Sequence, residues 1–304
     1  MNWHTAGRRY RLNVETREQL LGFAFATPLL VVLAAAIVLP ALYNTGIALF
    51  EYNAMRDAWR FSGLKNFRAL FASAVFWNSM TVTMIWVVFN VGLQLAIGLA
   101  TALSLNAIIR FRGPFSAVMM IPWISSFVVV AIVFLWIYHP QLGVLNDILL
   151  RTGLIERPIA WLSSPALAQF SLILANTWKF FPLVMITLFT GLQSLPRDVL
   201  EAAAMDGASR WQTLRMVVLP LLAPSIATAV LLSTIWAFNA FTLPIIMTNG
   251  GPLRATEVLG LYIFKVGFTN FDFGIAAAAS FVLFLLILAI TAVYLRIANP
   301  GGGR

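Results

Sequence analysis

The stretch Glu201-Ala-Ala-Ala-Met-Asp206-Gly207-Ala208, closing at Leu219-Pro220, is set between two long apolar runs, Leu167–Leu192 and Leu219–Met247. A polar, capped, short-helical loop between such runs marks a chain whose main body crosses a membrane in separate pieces. In a chain with no catalytic apparatus of its own, a loop this structured points to a docking element for a soluble partner.

Composition agrees with that division. Hydrophobic residues make up 61% of the chain, charged residues 10%, and the mean hydropathy is +0.88. A water-soluble domain carries about 25% charged residues, so water is not the main solvent here. About 20 apolar residues cross the roughly 30 Å of membrane hydrocarbon, and runs of that kind recur along the whole sequence. Cysteine is absent, which excludes disulfide staples, thiolate metal sites and cysteine nucleophiles. The net charge of +9 is scattered over short loops without a basic stripe interleaved with aromatics. It reads as lipid-headgroup contact and topology setting, with no nucleic acid partner.

Six spans are expected, approximately Leu20–Phe50, Phe76–Leu105, Phe115–Tyr138, Leu167–Leu192, Leu219–Met247 and Phe273–Ile297. They form one six-helix transmembrane body over residues 20–297, with residues 1–19 and 298–304 as tails and 193–218 as the structured loop. The first apolar run is too long for a signal-peptide core and lacks a cleavage site, so it reads as a retained helix. Pro28, Pro40, Pro122, Pro182 and Pro244 lie in or near the runs, where packed neighbours tolerate the lost hydrogen bond. No ladder of alternating short strands appears, which disfavours an outer-membrane barrel. The expected fold is therefore an all-α membrane protein.

An even number of spans leaves both termini on one side. Placing them in the cytoplasm puts eleven Lys/Arg there, among them Arg110, Arg112, Arg197, Arg210 and Arg215, against eight on the far side. That bias has the sign expected for cytoplasmic termini.

Within the loop, Ser194 and Pro196 suggest a hydroxyl cap followed by a proline in the first helical turn. Asp198 and Glu201 suit the positive end of that helix. Asp206-Gly207 is a turn signal, with Gly207 free to take the positive φ that ends a helix. Ser209 can cap a second short helix through Trp211, Leu214, Val217 and Val218. Val199, Leu200 and Ala203 give the first helix an apolar side, while Ala202 and Ala204 keep its surface low.

Glu-Ala-Ala-x-x-Asp-Gly-Ala, then Leu214, Val217 and Leu219-Pro220, resembles the signature cytoplasmic loop of permease subunits in binding-protein-dependent ABC importers. Gly63-Leu-Lys-Asn-Phe67 is similar to that family's segment before the second span. Trp178 with Pro182, then Gly191-Leu-Gln-Ser-Leu-Pro196, is similar to its approach to the loop. Asn249-Gly-Gly-Pro252, Ala255-Thr256 and Tyr262 resemble the carbohydrate branch, near the maltose and glycerol-3-phosphate type permeases. The likeness covers nearly the whole chain from the first span onward. The loop between the third and fourth spans is short, so the large inserted domain of some maltose-type subunits is not expected.

The resemblance implies a type I importer permease in a prokaryotic plasma (inner) membrane. It would pair with a second homologous permease, an ABC ATPase dimer and an extracytoplasmic substrate-binding protein. Glu201, Ala202, Ala203, Asp206, Gly207, Ala208, Leu219 and Pro220 would form the joint with the ATPase, which alone would use ATP and Mg.

The residues themselves carry no chemistry of that kind. Lys65, Lys179 and Lys265 follow Leu, Trp and Phe, so none belongs to a phosphate-binding Gly-Lys-Ser/Thr turn. His4 and His139 are far apart, and neither a Ser-His-Asp set nor metal-ligand spacing can be found. No catalytic residue, metal site or bound cofactor is expected.

Every Asp and Glu falls outside the spans, which disfavours an ion-coupled secondary carrier. A membrane-embedded enzyme is the more distant alternative. A neutral sugar asks for hydrogen-bonding side chains beside aromatic faces. The spans offer Trp86, Phe89, Asn90 and Gln94; Asn176, Trp178, Lys179, Phe180 and Phe181; and Trp236, Phe238, Asn239 and Phe241. The same residues can instead be interhelical glue or core filling. Lys179, the lone charge in a span, is either a pathway contact or an interhelical tether.

Overall fold

The computed structural model describes residues 6–53, 55, 58–107 and 112–298. Arg56, Arg110, His4 and Arg304, together with residues 299–304 of the second tail, lie outside them.

Helix α1 (Ala6–Leu33) passes through a π turn at Ala34–Val38 into α2 (Leu39–Ile47). The helix therefore begins inside the stretch read as a polar tail. Its apolar part, Leu21–Ile47, has a mean hydropathy of 2.5 and an apolar window that is 0% buried within this chain. A helix apolar all round and unburied by its own fold has lipid or another membrane protein for solvent.

After α2 the chain leaves the helix earlier than expected. Phe50–Asn53 (β1) pairs antiparallel with Ala58–Phe61 (β2), Phe50 opposite Phe61 and Tyr52 opposite Trp59. Alternating aromatic and polar residues suit a two-sided strand, and the Tyr52 and Trp59 rings lie 4.6 Å apart. Helix α3 (Lys65–Ala72) follows, and here the Gly63–Phe67 segment acquires a physical role. Gly63 takes φ +57. Asn66, 5% exposed, donates through Nδ2 to Ala48 O (2.9 Å) and Phe50 O (2.7 Å), clamping α3 to the α2–β1 junction.

The centre is the pair α4 (Ala74–Ala107) and α8 (Pro165–Gln193). Gly98 lets them touch: a Cβ there would stand 2.6 Å from Val184 Cγ1. Such backbone approach is the means by which spans pack when water offers no driving force. Pro182 lies inside α8 without ending it, so no break occurs there.

Two runs are bent. Helices α5 (Arg112–Ile124) and α6 (Phe127–Ile137) meet at 93° across Ser125-Ser126. After the loop come α9 (Arg197–Met205), α10 (Arg210–Thr213), a π turn at Leu214–Val218 and α11 (Leu219–Leu221), which turns by 67° into α12 (Ala223–Phe238). The run expected to continue to Met247 stops at Phe238 and resumes only as α13 (Thr242–Thr248). Among the described residues, four helices are long and apolar enough to cross a membrane, or up to six if each bent pair is one span. Helix α7 (Val144–Arg151) lies between α6 and α8, α14 (Leu259–Phe264) runs into a π turn at Lys265–Thr269, and α15 (Phe273–Ala298) closes the bundle against α12, α14 and α3.

Candidate functional site

The loop is built from local chemistry. Ser194 does not cap α9: its Oγ donates to Gly191 O at 2.8 Å and so finishes α8. Pro196 is the cap residue itself, φ −61 and ψ 128, rather than a first-turn residue. At the far end, Gly207 takes φ +76. Its N–H donates to Ala204 O (3.1 Å) and that of Ala208 to Ala203 O (3.0 Å). This is the paired closure that satisfies the last carbonyls of a helix. Ser209 then caps α10 in both directions: Gln212 N donates to its Oγ (3.3 Å), and its own N–H donates to Gln212 Oε1 (2.8 Å).

The result is a stiff corner with little of its own surface covered. No residue of α9 is buried. Leu200, Ala203 and Ala208 are half-buried, while Glu201, Ala202, Asp206 and Gly207 are exposed, and nothing lies within 4 Å of where a Gly207 Cβ would stand. Leu219 is half-buried and Pro220 exposed, in the turn of α11. Met205 (88% exposed), Trp211 and Met216 present large apolar side chains to the outside.

A second feature opens where α12 breaks. Trp86 of α4, Phe127 of α6, Asn176 and Phe180 of α8, Trp236 of α12 and the segment Asn239–Pro244 line a small open cleft. Asn239 Nδ2 donates to Ile235 O (2.8 Å), which caps the end of α12 at the cleft. No charged side chain lines it. Behind the wall, Asn176 Nδ2 donates to Asn90 Oδ1 (2.7 Å), and Asn90 Nδ2 donates to Trp86 O (2.8 Å). An interhelical bond of this kind contributes about 0.6–2 kcal/mol in a membrane. Trp86 Nε1 and Gln94 Oε1 are buried without a hydrogen-bond partner.

The residues named from the sequence therefore separate into groups. Asn176 and Asn239 line the cleft with Trp86, Phe180, Trp236 and Phe241. Asn90 and Gln94, both 0% exposed, form the polar seam between α4 and α8 behind it. Phe238 is 2% exposed in the core, Trp178 packs edge-on to Phe134 away from the cleft, and Phe89 faces outward. Lys179 Nζ donates to Ser125 O (2.5 Å) and Trp123 O (3.2 Å), outside the cleft lining.

The family model for the inner membrane component of binding-protein-dependent transport systems matches residues 92–299. The chain belongs to this family. The trehalose/maltose transport system permease protein MalF of Thermococcus litoralis is 34% identical over 93% of this chain and 95% of its own length. The sn-glycerol-3-phosphate transport system permease protein UgpA of Agrobacterium fabrum is 30% identical over 82% of this chain and 86% of its own. A bacterial alginate ABC transporter, solved in complex with alginate pentasaccharide-bound periplasmic protein, has a chain of the same fold. Its TM-score is 0.80 at 22% identity, over 95% of this chain and 98% of that one. The type I importer permease fold expected from the loop is thus the fold of the chain, and it is an inner membrane component rather than an enzyme.

Two features of this permease were missed in the sequence. Phe127, one residue past a Ser-Ser break, had no motif to mark it. Glu257 lies outside the spans as expected, yet is 1% exposed. Its carboxylate is held by Arg254 Nη1 (2.9 Å) and Lys265 Nζ (2.7 Å). The Asn249–Thr256 segment folds around that pair: Asn249 takes φ 49 and Thr256 Oγ1 donates to Gly251 O (2.9 Å). Its stapling donors are Asn78 to Arg254 O and Gln169 to Ala255 O.

Proposed function

We propose that this permease carries a neutral sugar or sugar-like solute inward through the cleft, and that an ATPase on a separate chain drives it through the loop around Glu201 and Gly207. The observation that carries the sugar reading is the lining: aromatic faces with two carboxamides and no charged side chain. Flat apolar CH surfaces of a sugar stack on aromatic rings, and amides serve hydroxyls as donor and acceptor. A relative named for trehalose/maltose transport supports the same class.

The joint with an ABC ATPase dimer is assigned to Glu201, Ala202, Ala203, Asp206, Gly207, Ala208, Leu219 and Pro220. Exposed Met205, Trp211 and Met216 add the apolar anchors that interfaces favour. A capped helix transmits a push to the spans with less loss than a slack loop, and ATP with Mg would act on the ATPase alone. The unburied face of Leu21–Ile47 supports a neighbour in the membrane, which we take to be a second homologous permease. An extracytoplasmic binding protein delivers the solute, and both termini lie in the cytoplasm. Screening solutes for stimulation of ATP hydrolysis by the purified complete importer tests the reading. Trehalose, maltose or a similar sugar is expected to stimulate, and stimulation by amino acids alone would overturn it.

A further inference from the structure

We propose that Lys179 is a positioning residue: its ammonium pins the α5–α6 bend to α8 and thereby holds Phe127 in the cleft wall. The inference rests on the reading of that cleft as the solute path.

The 93° turn at Ser125-Ser126 takes backbone carbonyls out of helical pairing. Inside a membrane protein such carbonyls need a donor from within the fold. Lys179, 3% exposed and reaching across from α8, gives hydrogens to two of them, Trp123 O and Ser125 O. Ser125 stands two residues before Phe127, the first residue of α6. Lys179 Nζ also lies 4.4 Å from the centroid of the Phe127 ring and 5.8 Å from that of Phe180. The two rings are 5.7 Å apart, and both line the cleft. The ammonium thus sits behind the aromatic wall, fixing the direction of α6 through the carbonyls and the place of its first side chain through the ring face. It does not line the cleft itself.

The chain has no cysteine, so spin labels at Ile121→Cys and Ile132→Cys, exposed on α5 and α6, report the bend without competing thiols of its own. In the complete importer, with partner subunits freed of cysteine, the parent and Lys179→Arg are expected to give one narrow distance distribution. Lys179→Met gives a broadened or shifted one, and an unchanged distribution overturns the pin. The second readout is the ratio of trehalose to maltose uptake in direct competition, which cancels differences in yield and assembly. Lys179→Met and Phe127→Ala are each expected to shift it by about threefold or more, with the double variant shifting it no further, as for two residues acting as one unit. A ratio untouched by Lys179→Met, or effects that multiply in the double variant, overturns the positioning role. If Lys179→Met does not assemble, Lys179→Leu, which likewise removes both the donor and the charge, carries the same comparisons. Should Phe127→Ala and Trp236→Ala leave uptake and ratio unchanged while the spin-label distribution still moves, the cleft reading is what fails.

Discussion

Gly207 shows how much a single residue decides. Its φ of +76 lies in the region an L side chain enters only at a cost of about 1–2 kcal/mol, more for a branched one. Open space surrounds the missing Cβ, so Gly207→Val would not jam the permease's own packing. It would unwind the α9 corner and obstruct whatever seats against it. Uptake by Gly207→Val is expected to vanish while membrane insertion, followed by yield from washed membranes, stays near normal. Glu201→Lys should behave likewise, since it inverts an exposed charge on the same helix. Asn239 lines the cleft proposed as the solute path. Asn239→Leu removes the amide from the cleft and the cap from α12, and is expected to weaken solute binding with little change in complex yield. Unaltered transport kinetics would remove Asn239 from the path. The loop chemistry was legible because caps and turns are local: Gly207 and Ser209 declare themselves within four residues. Ser194 misled for the same reason, since a hydroxyl between two helices can finish one or begin the next.

At the scale of elements, α4, α8 and α15 were readable from apolar run length, because a segment surrounded by lipid and other spans has one solvent along its length. The bends were not. Hydropathy is blind to whether Phe115–Tyr138 is straight, and the donor that meets the carbonyls at the Ser125-Ser126 turn, Lys179, is distant in sequence. The β1–β2 hairpin was hidden for a related reason: Phe50, Tyr52, Trp59 and Phe61 are apolar enough to blur into the first span. Helix contact itself gives a paired test. Gly98→Ala places a methyl 2.6 Å from Val184 Cγ1 and 3.1 Å from Met185 N, and overpacking of this kind costs about 1–3 kcal/mol. Gly92 on the same helix has nothing within 4 Å, so Gly92→Ala should be neutral or gain up to about 1 kcal/mol. Thermal unfolding of the two variants in detergent is expected to separate them in that order.

For the whole molecule, a cleft in the bundle and a capped, largely uncovered corner outside it are joined by α8 and α12. The far end of the corner, Gly207 and Ser209, was legible in the sequence, its entry at Ser194 and Pro196 was not, and the cleft was legible in part. Asn176, Asn239 and most of the aromatics were named, but Phe238, Trp178 and Phe89 share their chemistry and point elsewhere, because composition does not say which way a helix face turns. We take the permease to be a passage moved by ATP hydrolysis on another chain. The most direct test is reconstitution in sealed vesicles, with the permease alone in one set and the complete importer with ATP in another. Accumulation of labelled sugar against its gradient only in the second set is the predicted result, and uphill movement by the permease alone would contradict the account.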